Sequence, residues 1–120
     1  MTDKQLKVLA LKKRVSVLRA TLGLHEMAMK LSLSLYQKIT GEIIRNEIKT
    51  SDLWRQLIRG EEGDPASLKR QVEELEAALI ADKRVAEEVR EIFEKAYGEY
   101  KQTRLALRLC EVEVNRLIEG

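Results

Sequence analysis

The chain has 120 residues, enough for one domain, and its net charge of +2 gives no whole-molecule reason to expect nucleic acid or an acidic membrane surface as a partner. Charged residues make up 35% and aromatic residues 4%, with six Gly and one Pro, which excludes the many turns of a β-sandwich or β-barrel and favours long helices. Residues 1–60 hold 12 Lys and Arg against 5 Asp and Glu, a net charge of +7, whereas residues 61–120 hold 10 against 15, a net charge of −5. The two halves should therefore attract each other.

The sequence predicts a cytoplasmic protein that does not enter a membrane. Polar side chains interrupt the apolar residues of the N-terminal stretch MTDKQLKVLALKKR, unlike those of a signal peptide. Nowhere do about 18 apolar residues follow one another, as a membrane-spanning helix requires. Cys110 is the only cysteine, so no intramolecular disulfide can form, and we expect a reducing compartment with Cys110 packed in the core.

The first predicted element is a helix over residues 3–59. Its segment MAMKLSLSLY, residues 27–36, has an apolar residue at every second position, like a half-buried strand. No other stretch alternates in this way, so a strand here would have no partner, and a helix is the better interpretation. Along this helix a series with steps of three and four residues predicts one buried face: Val8, Leu11, Val15, Leu18, Leu22, His25, Met29, Ser32, Tyr36, Ile39, Ile43, Asn46, Thr50, Leu53 and Leu57.

The first helix has one candidate break. Thr50, Ser51 and Asp52 are residue types that cap the starts of helices. They could interrupt the helix near residues 49–52 and begin a short extra helix before the turn, and the sequence leaves this alternative open.

A turn is predicted at residues 60–64, followed by a second helix over residues 65–118. Gly60 and Gly63 can end the first helix, and Asp64 with Pro65 can begin the next. The second helix carries its own heptad series: Leu68, Val72, Leu75, Leu79, Asp82, Ala86, Val89, Phe93, Ala96, Tyr100, Thr103, Leu107, Cys110, Val114 and Leu117. Together the two series form what we call the seam.

The two series have the same length and predict a long antiparallel, coiled-coil-like hairpin. If the chain folds back at the turn, residues whose numbers add to 125 face each other, and large side chains meet small ones, as Ile39 meets Ala86. The same rule sets His25 opposite Tyr100, where imidazole and phenol could hydrogen-bond. The expected fold class is all-α, a single domain over residues 1–120 that assembles into a four-helix bundle.

Charges beside the seam give this register mixed support. The expected neighbours include two favourable pairs, Lys12 with Glu111 and Arg14 with Glu113, and two unfavourable pairs, Arg19 with Arg104 and Glu47 with Glu76. The apolar series therefore carries the prediction.

A second apolar stripe runs along the first helix on the side away from the seam, and the second helix has a shorter version. A contiguous exposed apolar patch usually marks an interface, and two helices alone bury little surface for a chain of this size. We predict a homodimer or a complex with another helical protein. The predicted partner interface is Val17, Ala20, Leu24, Met27, Leu31, Leu35, Leu105, Leu109 and Val112.

No constellation of residues predicts catalysis, a cofactor or a metal site. His25 is the only histidine, and no second ligand lies three or four positions away, so we expect it in the seam. Glu87, Glu88 and Glu91 have the spacing of a helical Mg²⁺-binding cluster, but the facing helix supplies no second acidic pair. A solvated acidic face is the preferred interpretation.

Nucleic-acid binding by the basic N-terminal segment is the alternative function. The candidate phosphate contacts are Lys4, Lys7, Lys12, Lys13, Arg14 and Arg19. On a helix these residues spread around the circumference instead of forming one stripe, so nucleic acid is not the expected partner. Trp54, close to the turn, could be a secondary contact with a partner or could pack across the turn.

The expected function is that of a non-enzymatic interaction, scaffold or adaptor protein. In layout, a helical hairpin of this size resembles the stalk and adaptor proteins of type III secretion systems and rotary ATPases. No motif of those proteins is matched residue by residue.

Overall fold

The computed structural model describes residues 1–60 and 63–120, so Glu61 and Glu62 of the predicted turn lie outside the described residues. It contains two helices, α1 (Asp3–Arg59) and α2 (Pro65–Glu119), joined as a hairpin, and the described residues contain no strand. The all-α helical hairpin predicted from the sequence is confirmed.

Side-chain caps begin both helices. At α1, the Gln5 N–H donates to the Thr2 hydroxyl oxygen at 3.1 Å, and the Thr2 N–H donates to the Gln5 side-chain oxygen at 2.9 Å. These reciprocal bonds form a capping box. At α2, the Ala66 N–H donates to the Asp64 carboxylate at 3.3 Å, while Pro65 takes the first helical position, where no N–H is needed.

Glycines flank the turn on both sides. Gly60 and Gly63 have positive φ angles of 65° and 130°, a region of backbone conformation that side chains with a Cβ rarely adopt. Gly60 directly follows Arg59, the last residue of α1, and its positive φ ends the helical conformation there.

The break considered at residues 49–52 does not occur, because α1 continues through Thr50 to Arg59. The Thr50 hydroxyl donates to the Asn46 carbonyl oxygen one turn earlier, at 2.7 Å, instead of capping a new helix. Thr50 is buried in the seam. Its hydroxyl therefore needs a hydrogen-bond partner, and the carbonyl oxygen of the same helix supplies one without interrupting α1.

The first compact unit consists of Met1–Leu31 and Ile92–Gly120. Its core is one cluster of buried and partly buried seam residues: Val15, Leu107, Val114, Leu11, Leu18, Leu22 and Cys110. Leu18 and Leu107, whose numbers add to 125, lie in this one cluster, as the pairing rule predicts. The free thiol of Cys110 packs here as an apolar group.

The second compact unit is Ser32–Glu91. Its core cluster contains Ile43, Leu79, Ala86, Tyr36 and Ile39. The large Ile39 and the small Ala86 share this cluster, again in agreement with the pairing rule. Alternation of large and small side chains lets two helices approach closely along the whole contact.

The seam accounts for the interior of the described residues. Each of its positions is buried or half-buried, and all the side chains that are fully buried belong to it. Val72 is the most deeply buried, with 1% of its surface exposed. The three- and four-residue spacing read from the sequence therefore identifies the buried face of both helices.

Charged side chains beside the seam pair differently from the sequence-based expectation. Arg19 lies 3.7 Å from Glu111, whereas Arg104 was its expected neighbour, and Glu47 lies 3.3 Å from Lys83, whereas Glu76 was its expected neighbour. In both pairs the residue numbers add to 130, whereas the expected neighbours add to 123. The observed partners are thus seven residues, one heptad, away from the expected ones. Both sets of residues directly follow a seam residue and therefore lie on the same flank of the hairpin, so either pairing keeps the charges beside the seam.

Two polar side chains near the seam also find partners that were not predicted. His25 Nδ1 lies 3.5 Å from a carboxylate oxygen of Glu99. The expected partner of His25 was Tyr100, the next residue along α2. The indole N–H of Trp54 donates to Glu76 at 3.1 Å, across the hairpin. Trp54 stays 41% exposed, so its role as a secondary contact with a partner remains a prediction.

Candidate interaction surface

The first compact unit exposes the predicted apolar stripe on α1. Each stripe residue follows a seam residue by two positions and therefore points roughly 200° around the helix from it. The exposed fractions are 64% for Val17, 66% for Leu24 and 65% for Leu31. We call these residues the α1 stripe: Val17, Ala20, Leu24, Met27 and Leu31, all exposed.

The second compact unit holds the remaining predicted residue of α1, Leu35. Its side chain is 47% exposed. Leu35 follows the seam residue Ser32 by three positions instead of two, so it lies only about 60° around the helix from Ser32, on the flank of the seam.

The predicted residues of α2 obey the same two-position rule. Leu105, Leu109 and Val112 follow three seam residues by two positions each, and Leu109 is 62% exposed. We call these three residues the α2 stripe. Because each stripe points away from the helix that its own seam residues contact, the two stripes lie on opposite sides of the first unit. The structure therefore does not bring the nine predicted residues together into one surface.

The segment MAMKLSLSLY now has a structural explanation. Met29, Ser32 and Tyr36 belong to the seam, and Met27 and Leu31 belong to the α1 stripe. Steps of two residues cover about 200°, so Met27, Met29 and Leu31 fall alternately on two opposite faces of one helix. Leu33 and Leu35, 43% and 47% exposed, lie beside these faces. Apparent strand periodicity arises where a seam and a stripe overlap.

Further exposed apolar residues were not predicted. In the second unit, Ile44, Ile48, Ile58 and Ile80 are exposed. In the first unit, a shallow groove near the chain ends is lined by Met1, Lys4, Gln5, Val8, Leu9, Lys12, Leu117 and Ile118. The seam residues Val8 and Leu117 line this groove together with their exposed neighbours, so the groove continues the seam. The heptad positions of these residues in the sequence could have identified it.

The six candidate phosphate contacts are all exposed in the first unit: Lys4, Lys7, Lys12, Lys13, Arg14 and Arg19. Side chains at positions 12–14 point in three directions about 100° apart, so they form no single basic face. Arg19 is paired with Glu111. The basic segment is therefore a dispersed set of cations with part of its charge neutralised.

Glu113 has its strongest interaction within α2 and not with Arg14. The Arg116 guanidinium donates through Nε to one carboxylate oxygen at 2.9 Å and through Nη2 to the other. This hydrogen bonding, with smaller electrostatic contributions from Arg116 and Lys7, lowers the pKa of Glu113 and raises the pKa of Arg116. The preferred partner is thus one turn along the same helix.

We expect Arg116→Ala to raise the pKa of Glu113 toward the ordinary value of a glutamate, because the main hydrogen-bond donor is lost. Carbon-13 NMR titration of the carboxyl group would measure it, and Lys7→Ala should raise the pKa less. Since the folded-state pKa is lowered, the stabilisation is present above the unfolded-state pKa and is lost as pH falls through the folded-state value. A pKa of Glu113 unchanged by Arg116→Ala would contradict this assignment.

The described residues contain no group of three or more His, Cys, Asp or Glu side chains arranged to hold a metal ion. Of the acidic residues considered for Mg²⁺, Glu87 is paired with Arg90 on its own helix. No helix in the described ranges is long and apolar enough to cross a membrane.

Comparisons of the chain with family models, with curated proteins and with solved structures find no match.

Proposed function

We propose that this protein is a non-enzymatic helical interaction protein, of the scaffold or adaptor kind, that associates through an outward apolar stripe with a helix of a second copy or of another protein. The observation that carries the proposal is the exposure of the α1 stripe, five contiguous apolar residues with no covering segment among the described residues. Such a patch is costly to leave in water and is typical of an interface.

The accessible surface of the chain supports an association. It amounts to 9097 Å², whereas a compact folded protein of 13.8 kDa exposes about 6,600 Å². The surplus of about 2,500 Å² exceeds the roughly 800 Å² that each partner of a standard interface removes from water. A partner therefore has enough surface to cover.

The spacing of the α1 stripe favours a helix as the covering element. Val17, Ala20 and Leu24 are separated by three and then four residues, and Met27 and Leu31 continue the alternation. This is the pattern that packs helices together in coiled coils, and the seam of the same chain uses it. A helix lying on a membrane would instead need a broad apolar face, which α1 lacks because its other side is occupied by the seam.

Light scattering on the purified chain over a range of concentrations tests the proposal. We expect a mass of twice 13.8 kDa that falls toward 13.8 kDa on dilution. A monomer at every concentration would remove self-association and leave a different helical protein as the partner. The cytoplasmic location inferred from the single cysteine stays a prediction.

Titration with DNA and RNA at two salt concentrations separates the alternative function from this one. Phosphate binding by the basic segment must weaken steeply as salt rises, because each neutralised phosphate releases counterions. We expect no saturable binding at about 0.15 M salt. A saturable complex with that salt dependence would favour the nucleic-acid alternative.

A further inference from the structure

We propose that the α1 stripe is covered by the α1 stripe of a second copy, running in the opposite direction about a two-fold axis between His25 and Glu26. This pairing rests on the proposed function and specifies its partner. In it, residues of the two copies whose numbers add to 51 face each other.

Side-chain sizes in the stripe are complementary under this rule. Ala20 of one copy faces Leu31 of the other, a small side chain against a large one, and Leu24 faces Met27, which has nearly the same volume. Val17 faces the small Ser34. The same matching of large with small holds the hairpin seam together, as Ile39 and Ala86 illustrate. A parallel pairing would instead set Ala20 against Ala20 and leave a gap there.

The ends of the apolar run fix the register. Along the same three- and four-residue series, the first charged residues are Lys13 on one side and Lys38 on the other, and their numbers add to 51. Both lysines then lie just beyond the apolar contact, where their long side chains reach water. A shift by one heptad would set Lys13 against Leu31 inside the contact.

The residues that flank the stripe create no repulsion in this arrangement. Those on the two edges are Ser16, Thr21, Gly23, Ala28 and Lys30. Lys30 is the single charge, and under the antiparallel rule it comes near Ser16 of the other copy. Most of these neighbours are small, so the two helices can approach closely.

The α2 stripe is a poorer occupant for the α1 stripe. Its three apolar residues would leave two of the five positions of the α1 stripe uncovered. Because the stripes lie on opposite sides of the first unit, pairing α1 with α2 of the next copy would also be heterologous and would continue beyond two copies. The isologous pairing of α1 with α1 sets Ala20, Leu24, Met27 and Leu31 against one another and Val17 against Ser34, and it closes at a dimer. In this dimer the two α1 helices lie in the middle and the two α2 helices lie on the outside.

Pulsed electron paramagnetic resonance on spin-labelled dimers tests the direction and the register. The chain would carry Cys110→Ser, to remove its own thiol, together with a single label at Ser16→Cys or at Ala10→Cys. At a rise of about 1.5 Å per residue, the antiparallel register predicts distances between copies of about 29 Å for position 16 and about 47 Å for position 10. Light scattering on each labelled protein would confirm that it retains the mass of the unlabelled chain.

Distances that lengthen by about 18 Å from position 16 to position 10 would support the pairing. Equal short distances at both positions would show a parallel dimer and overturn the inference, while association through the stripe would stand. Masses larger than that of a dimer would indicate that the α1 stripe of one copy contacts the α2 stripe of the next. This result would also overturn the inference of an antiparallel α1 pair, while association through the stripe would stand. A monomer at every concentration would overturn both this inference and self-association.

Discussion

Leu31→Glu should convert the associated protein into a monomer of 13.8 kDa with unchanged helix content. In the isolated chain Leu31 is 65% exposed, and Glu has nearly the helix propensity of Leu, so folding should be little affected. In the dimer the substitution buries one carboxylate per copy without a counter-charge. At about 2 kcal/mol per copy, the dissociation constant should rise roughly 1,000-fold. Light scattering and circular dichroism measure the two outcomes.

Ile80→Glu is the matched control. Ile80 is also 65% exposed and helical, but it lies on α2 in the second unit, outside either stripe. We expect this variant to keep the mass of the wild type. Equal loss of association in the Leu31 and Ile80 variants would indicate a general effect of added negative charge.

The double variant Leu31→Glu with Leu109→Glu tests both stripes together. Its mass should fall to that of one chain, and Leu109→Glu alone should leave the dimer intact because the α2 stripe is outermost in the proposed layer. A double variant with the wild-type mass would remove the claim that the stripes form an interface. Dissociation by Leu109→Glu alone would place α2 in the contact.

Helices, turn and buried face could be predicted because they depend on patterns that repeat along the chain. A series of alternating three- and four-residue steps has many members, so polar interruptions such as Ser32 and Asn46 do not hide it. The turn is specified by residue types with narrow conformational preferences, such as the pair Asp64 and Pro65. Both the helix periodicity and the turn conformation depend on residues that are close in the sequence, so the sequence pattern is enough to predict them.

Individual polar contacts could not be predicted in the same way. Arg19 reaches Glu111 across the hairpin, whereas Glu113 is held by Arg116 on its own helix. Long flexible side chains can choose between partners several residues apart, and the energy differences are small at exposed sites. The Thr2 and Gln5 capping box did have a sequence signature, and its spacing could have identified it.

The candidate interface could be predicted in part. Exposure of the stripe residues follows from the seam, because a residue two positions after a seam residue must point outward. That the α1 and α2 stripes lie on opposite sides follows only from the way the two helices of the first unit pack, which neither helix shows by itself. The identity of the partner depends on a second molecule, and the four-helix bundle therefore stays a prediction.

Val72→Asp should unfold much of the protein at temperatures where the wild type is stable. Val72 is 1% exposed, the most deeply buried side chain among the described residues, and it lies on the seam of the second unit. A carboxylate there would be charged without a partner, or protonated at a cost, and either state should destabilise the fold by about 4 kcal/mol. Because domains are stable by only about 5–15 kcal/mol, the melting temperature should fall by about 15 °C.

Val85→Asp makes the same chemical change on an exposed face of the same helix and unit, where Val85 is 44% exposed. We expect a shift of about 2 °C at most, because exposed substitutions usually change stability by less than about 0.5 kcal/mol. Circular dichroism during heating would compare the two variants. Similar melting temperatures for both would contradict the assignment of Val72 to the interior. An acidic residue should therefore act differently on three faces of this hairpin: it unfolds the chain at the seam, dissociates copies at the α1 stripe and is tolerated elsewhere.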